Sequence, residues 1–370
     1  MRPRVLYLTS EYSLKSGWGS CSVNWIEGLR SEVASSVILT YSKAGNSSAP
    51  WPIYPILRSQ EFGRLKALLT VWDSCLARII TGQNFDIVHT LVEPLIMLGD
   101  VLAKKMNAKH IVQCIGTYSV SPLKTPWGTR HSQAIKDADQ LIAISKYTAG
   151  RLKEEIPNLK ISVALLGVDK NFFSPPKEVV KEKYFLFVGQ PKPRKGFKTA
   201  IEAFRVFYKS NPQHRFLVAG KVPETPYLKN IKNYISKHKL PVKFLGEVSH
   251  ERLVELFQSC TAHVLPSVSM PYNFEGFGLV HLEANRCGAL SIGTRGTANE
   301  EVIRDQESGY LVDQSDSENL TKAMLCAEKQ VRLDPEGVVL RCVKHASRFS
   351  WSTSVQLIKK NYNRRKKRLI

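Results

Sequence analysis

Short, nearly unbroken apolar runs recur along the chain, separated by longer stretches of mixed polarity. In the first half they are VLYLTS (from Val5), SVILTY (from Ser36), DIVHTL (from Asp86), HIVQCIG (from His110), QLIAIS (from Gln140) and ISVALLG (from Ile161). Apolar and polar residues do not alternate within them, which is the pattern of strands covered on both faces. Between them lie helical patterns such as CSVNWIEGLRSEV (from Cys21) and SKYTAGRLKEEI (from Ser145). Strand and helix in alternation predict βαβ units and a parallel sheet. A lysine- and proline-rich stretch, DKNFFSPPKEVVKEK (from Asp169), interrupts the series. The series then restarts with YFLFVGQ (from Tyr184), RFLVAG (from Arg215), VKFLGE (from Val242), AHVLPS (from Ala262), LSIGT (from Leu290) and GYLV (from Gly309).

The pattern predicts two doubly wound α/β domains, residues 1–170 and 184–345, joined by a linker over 171–183. Residues 346–370 are expected to form a helix and basic tail returning to the first domain. A length of 370 residues agrees, being more than one core usually spans. Open α/β sheets bind ligands outside the carboxyl ends of their strands, so two facing domains would enclose an interdomain cleft.

Composition narrows the class. The 43% hydrophobic content is that of an ordinary globular protein, and no apolar run reaches the length of a membrane span. The N-terminus reads as a first strand, with too short an apolar stretch for a secretory signal. The 7 cysteines are scattered without a C-x-x-C, against a disulfide framework or zinc site and in favour of a reduced, cytoplasmic setting. A net charge of +21 calls for an anionic partner: nucleic acid, a membrane surface or a phosphorylated substrate. No nucleic-acid recognition motif accompanies the charge. Residues 61–80 place Phe62, Leu65, Leu69, Trp72, Leu76 and Ile79 at helical spacing, flanked by Arg64, Lys66 and Arg78. This stripe suits either a helix on anionic lipid at the inner membrane face or a core-facing helix. The cationic run from Lys359 to Arg368 adds to the same two readings.

Two segments carry candidate chemistry. FEGFGLVHLEANRCG (from Phe274) places Glu275 and Glu283 around a Gly-Phe-Gly turn, with a helix expected to begin near Gly278–Leu279. The unsatisfied N–H groups and positive dipole end of such a helix suit a diphosphate. Glu283 would lie roughly 6–7 Å further along the axis, so the two carboxylates can accept hydroxyls on either side of a phosphate pair, one from a sugar and one from a ribose. Taken as an isolated E-x7-E, the same pair is only a loop glutamate and a solvated one. VGQPKPRKGF (from Val188) leaves a strand at Gly189 and ends on the adjacent cations Arg194 and Lys195. They could neutralise a departing diphosphate or simply form a solvated basic loop. His89 reads as a structural histidine, and Glu300–Glu301 as the start of a helix.

These segments, taken in order with LKSGWGSCSVNWIEGL, ADQLIAISKYTAGRL, LLGVDKNFFSP, FLGEVSHERLVELFQSC, ESGYLV and FSW, resemble the family 4 retaining glycosyltransferases of the GT-B fold over nearly the whole chain. The resemblance implies two Rossmann-like domains, a nucleotide-sugar donor linked to UDP or GDP, and a glycan, lipid-linked or small-molecule acceptor. It also implies retention of anomeric configuration, with neither metal nor cofactor. By the same resemblance, Glu275 would bind the transferred sugar and stabilise its cationic transition state. Phe277, Gly278 and Leu279 would offer backbone amides. Glu283 would grip the ribose, and Arg194 and Lys195 would hold the diphosphate. Val248 would face the base, and Gly17 and Gly19 would approach phosphate or acceptor. The donor loop at Gly189 departs from the family pattern, since Gln190 stands where many members have arginine. Ile115 stands where the family often has a histidine near the donor sugar. These departures keep a second reading open, a non-catalytic relative that binds a nucleotide sugar or glycan.

Overall fold

The computed structural model describes residues 2–14, 16–41, 49–57, 74–169 and 173–363. It divides into two compact units, one of residues 1–167 with 351–370 and one of residues 168–350.

In the first unit seven strands form one parallel sheet. They are β1 (Arg4–Leu8), β2 (Ser35–Leu39), β3 (Ile53–Tyr54), β4 (Ile87–Thr90), β5 (Lys109–Cys114), β6 (Gln140–Ala143) and β7 (Ile161–Val163). Their spatial order is β3-β2-β1-β4-β5-β6-β7. Helices α1 (Gly17–Gly28), α2 (Ser74–Ile80), α3 (Ile96–Lys105), α4 (Thr117–Val120), α5 (Gly128–Asp137) and α6 (Lys146–Glu155) connect them. β4 and β5 are buried along their whole lengths, as their unbroken apolar runs require. β3 has no counterpart in the hydrophobic pattern. It is a two-residue edge strand between Pro52 and Pro55, and proline is tolerated at a sheet only at such an edge. α1 begins four residues before the periodic run at Cys21, because the Ser16 hydroxyl accepts from the Gly19 N–H and caps it.

The second unit holds a six-stranded parallel sheet of β8 (Tyr184–Val188), β9 (Arg215–Ala219), β10 (Val242–Gly246), β11 (Ala262–Val264), β12 (Leu290–Thr294) and β13 (Gly309–Val312). Its order is β10-β9-β8-β11-β12-β13. The helices are α7 (Phe197–Ser210), α8 (Pro226–Lys237), α9 (His250–Ser259), α10 (Leu279–Arg286), α11 (Asn299–Val302), α12 (Ser317–Leu333) and α13 (Pro335–Ala346). One face of the sheet is closed by aromatic side chains. Phe185 on β8 meets Phe207 on α7 edge-on at 4.9 Å, within a cluster that includes Phe187, Phe197, Phe204 and Phe216.

The last helix, α14 (Trp351–Tyr362), belongs to the first unit. Its Ser354 hydroxyl accepts from the Trp25 indole N–H at 3.2 Å. The Tyr362 hydroxyl bonds His89 Nδ1 at 2.8 Å, and the other ring nitrogen of His89 meets Gln113 at 3.3 Å. His89 is thus a fully buried, bonded core residue. Lys109, also buried, donates to the carbonyls of Asn361 and Tyr362, which compensates its charge with helix-end carbonyls.

Each sheet has one topological switch point. In the first unit the chain fills β1, β2 and β3 outward, then restarts at β4 on the other side of β1. In the second it fills β8, β9 and β10, then restarts at β11 beside β8. The loops leaving β1 and β4, and those leaving β8 and β11, run in opposite directions from there, the usual ligand position in such sheets.

Of the amphipathic segment 61–80, residues 61–73 lie outside the described residues. Leu76 and Ile79 on α2 are buried in the first unit's core. The tail from Arg364 onward also lies outside them. Among the described residues no helix is long and apolar enough to cross a membrane.

Candidate functional site

At the second switch point the loops after β8 and β11 bring three charged side chains together. Arg194 Nη1 lies 2.7 Å and Lys195 Nζ 2.5 Å from the same oxygen of Glu275. All three are largely covered, with 13%, 15% and 16% of their side-chain surfaces exposed. These groups lie 80 residues apart in sequence. Two local features put them in reach. The first is Gly196, which ends the turn Pro193–Lys195 with φ 65°. A Cβ there would stand 1.8 Å from the Pro266 carbonyl oxygen, so only glycine lets the basic turn press against the end of β11. The second is the hydrogen bond from Val268 N–H to the Arg194 carbonyl at 2.7 Å, which stitches the two loops.

Replacing Gly196 with alanine should therefore lower unfolding free energy by about 2–4 kcal/mol. Gly17→Ala, where no atom lies within 4 Å of the added carbon, should change it by less than about 1 kcal/mol. Thermal or urea denaturation of the two variants measures the contrast, and equal losses would remove the close-approach argument.

Electrostatics follow from this geometry. Burial alone would push the Glu275 carboxyl up, but the Lys195 and Arg194 charges and hydrogen bonds outweigh it and hold the group well below the usual carboxylate range. Lys192, in the same loop, is lowered by burial and then by the neighbouring cations Arg194 and Lys195. The cluster is thus one carboxylate against three cations, with positive charge to spare.

Gly278 caps α10 in the left-handed region at φ 87°. A Cβ there would meet the Asn299 Oδ1 at 2.9 Å. Leu279 opens the helix, as its periodicity predicts. Phe277 is buried, its ring 6.4 Å from Phe349, and anchors the turn. Glu283 sits about one turn along α10, partly exposed. Desolvation pushes its carboxyl up to about 7 despite the opposing charge of Lys195. The folded chain therefore holds this proton more tightly than the unfolded chain does. Its contribution to stability is full below about pH 4.5 and lost as pH rises through about 7. The difference in unfolding free energy between the natural chain and Glu283→Gln should fall by on the order of 2 kcal/mol across that window. A pH series of urea denaturations measures it, and a flat difference would contradict the raised value.

The other sequence candidates occupy the rims of the two sheets. Gly189 and Gln190 follow β8, and Gln190 is exposed. Val248, half-buried, lies between β10 and α9. Gly17 and Gly19 belong to the first unit, at the start of α1, where a Cβ on Gly19 would meet the Ser13 carbonyl oxygen at 2.1 Å. Ile115 packs against the first unit's apolar core. Glu300 and Glu301 stand in the first turn of α11, and Glu300 Oε1 accepts from the Gly296 N–H at 3.0 Å.

Four residues at the second switch point escape the sequence pattern. Lys192 could have been found, since it lies in the same basic loop. Asn299 gives no local signal, and among the described residues its buried Oδ1 has no partner beside the start of α10. Neither do His263 on β11 and His281 on α10, whose buried rings meet at 4.9 Å and, among the described residues, have no hydrogen bond to any ring nitrogen. Burial and mutual repulsion push His263 well below the usual range, and burial pushes His281 to about 3, so both are neutral.

Residues 168–333 match the family described as Glycosyl transferases group 1. An uncharacterized glycosyltransferase of Methanocaldococcus jannaschii is 26% identical over 292 residues, covering 77% of each chain. A D-inositol 3-phosphate glycosyltransferase of Acidothermus cellulolyticus is 30% identical over 183 residues, 46% of this chain and 38% of that protein. The crystal structure of Anabaena HepE in complex with UDP and glucose superposes with a TM-score of 0.77 at 17% identity, covering 97% of this chain and 99% of that one. The second unit is thus built on a Glycosyl transferases group 1 domain, in a chain with the two parallel-sheet α/β domains of the GT-B fold.

Proposed function

We propose that this chain is a retaining glycosyltransferase that moves a hexosyl group from a nucleoside diphosphate sugar to an acceptor hydroxyl, without a metal, in the synthesis of a glycan, envelope polysaccharide or glycolipid. The observation that carries the proposal is the meeting of Arg194, Lys195 and Glu275 at a switch point, beside the N-terminal end of α10, which no side chain among the described residues caps. A diphosphate placed there would find two fixed cations and backbone N–H groups, all positioned before the reaction begins. Preorganised charge of this kind stabilises a departing diphosphate more than it stabilises the intact donor, and so lowers the barrier. Glu275, ionised throughout the neutral range, would accept sugar hydroxyls and face the positive charge that develops on the ring. Glu283 would accept from ribose hydroxyls. The glycosyltransferase relatives and the UDP and glucose bound by the Anabaena protein support this reading.

A thermal-shift panel of UDP, GDP, ADP and their sugar conjugates tests it. A ligand at a hundred times its dissociation constant stabilises the folded state by about 2.7 kcal/mol. One nucleotide should raise the midpoint by several degrees, and Glu283→Ala should remove most of that rise. No shift with any of them would overturn the donor assignment. The departures at Gln190 and Ile115 favour a second reading, a binding subunit without catalysis, which would show the midpoint rise but no transfer or donor hydrolysis across a broad acceptor panel.

A further inference from the structure

Of the three cations in the loop after β8, two are spent and one is not. Arg194 and Lys195 both bond Glu275. Among the described residues the Lys192 ammonium makes no hydrogen bond and no ion pair. Yet its side chain is half-buried, beside two like charges. Burial weakens its hold on the proton, repulsion from Arg194 and Lys195 weakens it further, and the attraction of Glu275 does not offset them. A half-buried charge without a partner works against folding. The loop nevertheless fixes it in place. Lys192 stands between Pro191 and Pro193. Its backbone is extended, with φ −153° and ψ 160°, the region to which a residue before proline is confined. Its carbonyl accepts from the Lys195 N–H at 2.9 Å, closing the turn that carries Arg194 and Lys195.

We infer that Lys192 is a third contact for the donor's diphosphate, the one cation of the loop that a phosphate can engage without first displacing Glu275. The inference rests on the diphosphate reading of Arg194 and Lys195 and adds a donor-binding residue to it. Three observations select this role. First, three cations against the one carboxylate of Glu275 leave two positive charges. A diphosphate balances them, and a second carboxylate does not. Second, the turn holds Lys192 next to Arg194 and Lys195 just beyond the carboxyl end of β8, the end at which such sheets take ligands. Third, a lysine kept for structure gains an acceptor, whereas this one gains only repulsion from its neighbours. That is the arrangement of a site where stability is given up for binding.

Lys192→Met keeps most of the length of the side chain and removes its charge, and Lys192→Arg keeps the charge. The experiment titrates the full natural chain and both variants with inorganic pyrophosphate and with UDP, GDP and ADP in turn, and unfolds each protein in urea. Lys192→Met should weaken binding of pyrophosphate, and of the nucleoside diphosphate that binds the natural chain, by about tenfold or more. It should also raise the urea midpoint, because the repulsion within the loop is gone. Lys192→Arg should bind within about threefold of the natural chain. Undiminished binding in Lys192→Met would overturn the inference and leave the donor assignment standing. A lower urea midpoint in Lys192→Met would do the same, since Lys192 would then be a brace for the loop. So would a loss in Lys192→Arg as large as that in Lys192→Met, because charge would not be what binds. A natural chain that binds neither pyrophosphate nor any of the nucleotides would defeat the donor assignment itself, and the role of Lys192 with it.

Discussion

Replacing Arg194 and Lys195 together with alanine should reduce sugar transfer by at least about a thousandfold, the scale expected when preorganised charge is removed from a developing anion. The same double change should also cost stability, for a separate reason. Glu275 would keep a carboxylate that is only 16% exposed and has lost both partners, and a buried charge left unpaired costs about 3–5 kcal/mol. Its pKa should then rise from well below the carboxylate range, because burial already acts in that direction once the cations are gone. Loss of activity in the double variant could therefore reflect unfolding alone. Adding Glu275→Gln separates the two effects. The triple variant has no unpaired charge and should recover most of the lost stability, yet transfer should stay abolished. The measurements are urea denaturation and turnover of the nucleotide sugar identified by the thermal-shift panel. Turnover in the double variant within about tenfold of the natural chain would show that leaving-group stabilisation arises elsewhere.

The residues that form the strands were legible because the strands are buried on both faces. An unbroken run such as YFLFV from Tyr184 has few alternatives once flanked by glycine and charge. β3 was not legible, since two residues between prolines leave no period to read. The candidate cluster was legible as two separate segments and not as a cluster. Nothing local to Arg194 or Glu275 encodes that β11 lies beside β8 while β9 and β10 fill the opposite side. That adjacency is a property of the whole sheet, and only with it does a basic loop become the partner of a glycine-flanked glutamate. The neutral histidines 263 and 281 were illegible for a related reason. A histidine in a sequence carries no mark of whether its ring will be buried, and here both are fully so. At position 115 the departure from the family pattern was plain, but its consequence needed the structure. Isoleucine there packs, partly buried, against the first unit's apolar core, a role that a histidine in the family pattern would not have announced.

Glu275→Gln should move donor binding and transfer in opposite directions. The Glu275 carboxylate accepts from both Arg194 and Lys195, and so occupies the place in the charge balance that a diphosphate would take. A nucleoside diphosphate must displace it before both cations can turn to phosphate. Glutamine keeps the shape and withdraws the competing charge. Binding of the nucleoside diphosphate alone should tighten by about tenfold, the equivalent of about 1.4 kcal/mol, because charge-assisted bonds to phosphate no longer compete with equally strong bonds to carboxylate. Transfer should nevertheless fall by about a hundredfold or more, since the group that would accept sugar hydroxyls and face the positive ring is now neutral. Isothermal titration with the diphosphate and turnover of its sugar conjugate read the two effects on one variant. Weaker diphosphate binding in Glu275→Gln would mean that the carboxylate holds Arg194 and Lys195 in place for the phosphates, and the displacement account would be wrong. Tighter binding with transfer intact would instead limit Glu275 to neutralising the two cations until a diphosphate takes its place, with no part in the reaction itself.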